Sequence, residues 1–235
     1  MLRATAALLA CLLVCPHAVA QSAPRPVRVV IASERLAGVS DAPRYFRVLR
    51  VEFAKGQAAA FSGPSGYVFV LSGRLAMSVG ASARSLGRGE AAFIRAGETV
   101  SLQGPAQVVH FLLESGEPGT KPPYTGTAKT TELYRTKDPI PGLESGPYEF
   151  SLTKVTSPPK VKPPMHHRSG AAIYFVLEGR GTLYVESGAE PRKAGALQYE
   201  PNSFVHTWEN PGGAPLVLLQ ANLSREGTPE IIFLR

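Results

Sequence analysis

The chain has 235 residues, with 25 Lys and Arg against 18 Asp and Glu and a formal charge of +7 at pH 7. Its apolar share of 44% excludes a disordered or collagen-like polymer, and its length suits one large domain or two of about a hundred residues. The positive charges are spread thinly, with Arg192-Lys193 the densest cluster beyond the first residues and no basic stripe interleaved with aromatics, so nucleic acid is not an expected partner.

Residues 1–20 have the pattern of an export signal: Arg3, an apolar run from Ala4 to Cys15, and Ala18-Val19-Ala20 ahead of Gln21. The run is shorter than the roughly 20 apolar residues that a membrane span requires. The expectation is a periplasmic or secreted protein with no membrane association once the signal is removed. Both cysteines, Cys11 and Cys15, fall in that segment, which leaves the mature part without a disulfide or a thiolate.

Beyond it, runs rich in Val, Leu, Phe and Tyr are separated by Gly, Pro and Ser and predict strands over 45–53, 67–71 and 107–113. From Glu114 the composition changes, with Pro118, Pro122, Pro123, Pro139 and Pro141 among Gly, Thr and Lys, which predicts a linker over 114–147. Strands resume over 172–177 and 216–220, and no stretch of helical periodicity exceeds about three turns. The terminal runs 27–32 and 230–234 are candidates for strands exchanged between halves. The sequence contains no G-x-S-x-G elbow, no phosphate loop and no H-E-x-x-H.

A repeat divides the chain. Tyr67-Val-Phe-Val-Leu-Ser-Gly73-Arg74 aligns with Ile173-Tyr-Phe-Val-Leu-Glu-Gly179-Arg180 at an offset of 106, and Gly89 aligns with Gly195 without a gap. A period this long marks a duplicated domain, which gives units over 21–113 and 148–235 and an all-β fold class.

The second unit resembles the cupin family of small antiparallel β-barrels, or jelly rolls, and the pair resembles a bicupin. The resemblance rests on the motif G-x5-P-x-G-x-x-H-x3-N, matched by Gly195, Pro201, His206 and Asn210 with Ser203 at the second glycine. It implies a divalent metal held by a His-x-His pair, a glutamate and the motif histidine. Counting back from Gly179, the glutamate position is Ala172, which carries no carboxylate. The His-x-His pair falls on Met165 and His167 in one spacing and on His166 and Arg168 in the other.

The candidate metal ligands are therefore His206, His167, His166 and Met165, with Gln220 as an amide alternative; a thioether ligand would favour copper(I). Alternation places Phe204, Trp208 and Asn210 with His206, and Tyr174 with Ala172, which predicts an aromatic-walled small-molecule pocket with Tyr174 as the acid or base. The first unit has Ala59, Phe61, Gly66 and Val100 at the positions aligned with Met165, His167, Ala172 and His206, so it is expected to be structural, with His110 a core histidine.

Three functions stay open. The first is a metal-dependent dioxygenase, isomerase or lyase. The second is a non-catalytic exported binding protein for a small acidic ligand, with Arg168 or Arg180 as its anion contact. The third is an interaction module with a vestigial site. Exposed barrel edges favour a homodimer.

Overall fold

A computed structural model describes residues 24–116 and 123–234, so the expected export signal and both cysteines lie outside the described residues. The first part carries β1 (Val27–Leu36), β2 (Arg44–Phe53), β3 (Ala58–Ser62) and β4 (Ser65–Val79), then β5 (Ser82–Gly87), β6 (Ala91–Ile94), β7 (Thr99–Gln103) and β8 (Ala106–Ser115). β9 (Tyr124–Gly126) and β10 (Lys129–Arg135) follow. The second part carries β11 (Tyr148–Ser157), β12 (His166–Arg168), β13 (Gly170–Glu178), β14 (Arg180–Val185) and β15 (Gly188–Lys193). It ends with β16 (Leu197–Glu200), β17 (His206–Glu209), β18 (Leu216–Arg225) and β19 (Ile231–Phe233).

All pairings are antiparallel. The second unit stacks a sheet ordered β1-β11-β18-β13-β16 against one ordered β15-β14-β17-β12-β19, and the first unit is one sheet ordered β10-β2-β8-β4-β7-β3-β9 that folds on itself through the long β4. Both are the barrel-like sheets of a jelly roll, as the strand-rich, helix-poor sequence predicts.

The segment expected to be a linker contains two strands. β9 extends β3, and β10 pairs with β2 from Lys129↔Glu52 to Arg135↔Arg47. The exchange anticipated for the first terminal run is present: β1 crosses to the second unit and pairs with β11 from Val27↔Thr156 to Leu36↔Tyr148. The last run stays in its own half, with β19 on β12.

Strand alternation divides the apolar side chains among three cores. Leu49, Val51, Phe61, Val68, Val100 and Leu112 fill the first unit. The opposite faces of the same strands meet the second unit in a shared core of Phe46, Tyr67, Phe111, Phe150, Ile173 and Leu219, where the Tyr67 hydroxyl donates to the Phe150 carbonyl at 2.6 Å. The third core, inside the second unit, is small and includes Val155, Ala172, Tyr174, Leu183 and Trp208.

The repeat is visible in the register. Gly66 pairs with Ile94 as Ala172 pairs with Glu200, and Val68 pairs with His110 as Tyr174 pairs with Gln220. One position slips. Phe61 faces Val100 as His166 faces His206, so Phe61 is the counterpart of His166 and not of His167.

Candidate functional site

The site lies inside the second unit, where β12, β13, β16 and β17 converge. β12 has only three residues, and its alternation turns the buried His166 and Arg168 inward and His167 outward. Of the two spacings, the structure therefore adopts the one that pairs His166 with Arg168. His166 sits directly across from His206, and the two rings lie edge to face with centroids 4.4 Å apart. His167 is half-buried, and its Nδ1 donates to the Arg168 carbonyl at 3.2 Å. Met165 has the same parity as His167, and its carbonyl accepts from the Leu234 amide at 3.0 Å. Of the four expected metal ligands, the structure thus brings two together.

The tautomers follow from the partners. A carbonyl can only accept, so Nδ1–H of His206 donates to the Phe204 carbonyl at 3.0 Å and Nδ1–H of His166 donates to the Pro164 carbonyl at 3.1 Å. This leaves Nε2 as the open ring position of His166, while Nε2 of His206 faces the Glu200 carboxylate. Burial, with the Arg168 guanidinium and the His206 ring close by, lowers the His166 pKa to about 4, which keeps this ring neutral at physiological pH.

The carboxylate missing at Ala172 is supplied from the adjacent strand. Glu200, the last residue of β16, stands directly across from Ala172 and is fully buried. Its Oε2 accepts from Arg168 Nε at 2.8 Å and its Oε1 from the Trp208 indole Nε1 at 3.0 Å. Oε2 also lies 3.0 Å from His206 Nε2, without the alignment of a hydrogen bond. Burial alone would raise this carboxyl, but Arg168 and His206 outweigh it and hold the Glu200 pKa down to about 2. Glu200 went unremarked in the sequence because the family's motif assigns no role to the residue before Pro201. The repeat offered a signal, since the gapless offset puts Glu200 against Ile94, a charge against an apolar core residue.

Arg168, also fully buried, donates from its second terminal nitrogen to the Tyr174 hydroxyl and has its guanidinium carbon 5.1 Å from the Tyr174 ring centroid. Burial raises the Tyr174 pKa against the opposing pull of Arg168, so the Tyr174 hydroxyl stays protonated. Trp208 packs against Tyr174 at 5.7 Å, and Phe204 stacks on His206 at 5.2 Å. Gln220 faces the interior from β18, where it accepts from Arg28 at 2.9 Å and donates to Asn222 at 3.2 Å. Arg180 is exposed at the start of β14.

Two motif residues fix the backbone around the site. Asn210 donates to the carbonyls of Ser157, Pro158 and Ala214 at 2.9, 3.1 and 2.9 Å and accepts from the Gly212 amide at 3.0 Å, which fastens its own loop to the one that follows β11. Ser203 adopts φ +63°, the left-handed conformation for which the family uses glycine.

The donor set bears on whether a metal fits. His166 and His206 supply two nitrogens, while both oxygens of Glu200 already accept from Arg168 and Trp208. Among the described residues no three His, Cys, Asp or Glu side chains form a group able to hold a metal ion. The inward position next to His166 on β12 carries a fixed guanidinium, which repels a divalent cation. The residues present do not form a free three-donor site. The first unit is apolar at the equivalent places, with Phe61, Ile94, Val100 and Leu102.

Residues 153–221 match the model of the Cupin domain family. The matched segment falls within the second unit and carries His166, His206 and Glu200. No curated protein matches the chain. Among solved structures, the oxalate decarboxylase of Lactobacillus farciminis in a formate complex is 12% identical and superimposes with a TM-score of 0.59 over 91% of this chain and 90% of that one. An oxalate decarboxylase variant from Bacillus subtilis is 12% identical, with a TM-score of 0.57 over 86% and 74%. AerE from Microcystis aeruginosa is 17% identical, with a TM-score of 0.53 over 90% and 98%. Another Bacillus subtilis oxalate decarboxylase structure is described by its Mn(II) centres. These likenesses establish the cupin fold.

Proposed function

We propose that the chain is an exported bicupin whose second barrel binds a small hydroxylated acid, with Arg168 in place of a metal as the fixed positive charge. One observation carries this reading. Arg168 Nη1 and Thr153 Oγ1 are buried in this unit with no partner in the protein, and buried polar atoms left unpaired call for a bound group. The lining supplies complementary chemistry: Ser151, Thr153, Gln220, Asn222 and Ser224 are all buried and offer hydroxyls and amides on the interior side of β11 and β18. Arg28 and Glu230, ion-paired to each other, also bond Gln220 and Ser151. The segment 1–20 supports export, and the first unit serves as a structural partner through the shared core. The outer strand β1 exposes Val27, Val29 and Val30, which supports a homodimer as the assembled form.

A second reading, a metal-dependent cupin enzyme, is favoured by the two imidazoles that donate Nδ1–H to backbone carbonyls, as metal-ligating histidines do. It requires Arg168 to release Glu200. Elemental analysis of protein purified without added metal separates the readings. The acid-binding reading expects no stoichiometric Mn, Fe, Ni, Cu or Zn, and a thermal-shift screen of hydroxy acids should find a ligand. Saturation at a hundred times its Kd adds about 2.7 kcal/mol, or about 5–11 °C. One equivalent of metal, lost in His206→Ala, would replace that reading with the enzymatic one.

A further inference from the structure

A second site lies outside the barrel interior, in a cleft of about 510 Å³ between the two units. The duplication makes this cleft nearly symmetric. On one wall Arg50, Val109 and Phe69 stand in register across β2, β8 and β4, and on the other Lys154, Leu219 and Phe175 stand in register across β11, β18 and β13. Each unit therefore contributes a cation and an aromatic ring from equivalent positions, and all four line the same space.

The two cations are uncompensated. Neither Arg50 nor Lys154 has an ion-pair or hydrogen-bond partner among the described residues, and Arg50 Nε is buried with nothing to accept from it. The other charges on the cleft, Arg88 and Glu178, bridge the two units at 3.1 Å and neutralise each other. A net charge of about +2 in a partly apolar recess attracts an anion, and a buried guanidinium nitrogen with no acceptor calls for one.

We infer that this interunit cleft binds a short aliphatic dicarboxylate, with one carboxylate on Arg50, the other on Lys154 and the methylene spacer over Phe69 and Phe175. The symmetry selects the chemistry. A cation on each wall suits a carboxylate at each end, and the rings between them suit an apolar spacer. A monocarboxylate satisfies only one wall. Because each unit supplies half of the contacts, the site exists only in the duplicated chain.

The test is isothermal titration of the full mature chain with succinate, glutarate and adipate, and with butyrate as the single-charge control at matched ionic strength. Binding of at least one dicarboxylate is expected, with butyrate about tenfold weaker or more. Arg50→Gln and Lys154→Gln should each weaken the dicarboxylate by about tenfold or more. Lys154 is exposed, so its variant should melt as the wild type does and report on binding alone. Absence of dicarboxylate binding below about 10 mM, butyrate binding as tightly, or wild-type affinity in both variants would each overturn the proposal. The last result would place the ligand elsewhere, the barrel interior included, without bearing on the acid-binding reading of that interior.

Discussion

Replacing Glu200 by Gln tests the ion pair at the centre of the second barrel. Arg168 and Glu200 side chains are both fully buried, with Nε to Oε2 at 2.8 Å, and among the described residues Glu200 is the one carboxylate paired with that guanidinium. The amide keeps the volume but leaves Arg168 as a fully buried, uncompensated charge. Loss of one partner from such a pair costs about 3–5 kcal/mol, against about 0–1 kcal/mol for an exposed pair. For a chain of this size that corresponds to a Tm lower by about 6–20 °C. The double variant Arg168→Met with Glu200→Leu removes both charges and should be less destabilised than Glu200→Gln alone, because no unpaired charge remains. Thermal and urea unfolding of the three variants give the comparison. A Glu200→Gln protein within about 1 kcal/mol of wild type would refute the reasoning. The pH dependence carries the same signature. The Glu200 pKa is about 2 in the fold against an ordinary 4.5, so the contribution is complete above pH 4.5 and is lost as pH falls toward 2.

Other perturbations separate the remaining interactions. His110 is fully buried and burial lowers its pKa to about 3, so as pH drops below 6.5 the unfolded chain takes up a proton that the fold refuses. Stability should fall by up to about 1.4 kcal/mol per pH unit from this group, and His110→Gln should flatten that slope in urea titrations between pH 7 and 4. An unchanged slope would mean that the ring is not held neutral. Asn210→Ala removes three donated bonds and should cost on the order of 3 kcal/mol, read from the urea midpoint; a cost below about 1 kcal/mol would show that the loops hold without it. Deleting residues 21–36 removes β1 and opens the β11 edge. That protein should melt lower and self-associate in light scattering, whereas a monomer of unchanged Tm would show that β1 is dispensable.

Much of the fold was legible because period-two alternation and the gapless repeat act locally. The motif from Gly195 to Asn210 located the second barrel, and it located His206 and Trp208 inside it. The choice between His166 and His167 was not legible, since it depends on a three-residue strand whose phase is set by pairing with His206 and Phe233. Glu200 was hidden for a related reason: its relation to Ala172 is a cross-strand register and not a spacing along the chain. β10 is not legible in composition because Lys129–Arg135 is a charged strand at the edge of its sheet, paired among the described residues with β2 alone. Tyr174 lay where alternation put it, but its hydrogen bond from Arg168 was not legible, because no spacing along the chain places that guanidinium beside it.

The crossing of β1 from the first unit to the second sets an order for folding during synthesis. Val27 leaves the ribosome more than a hundred residues before Thr156, its ladder partner, so the first strand must wait with an open apolar edge while the whole first barrel is made. An exported chain would meet this interval on the far side of a membrane, where a holding chaperone that shields Val27, Val29 and Val30 would suppress premature pairing between copies.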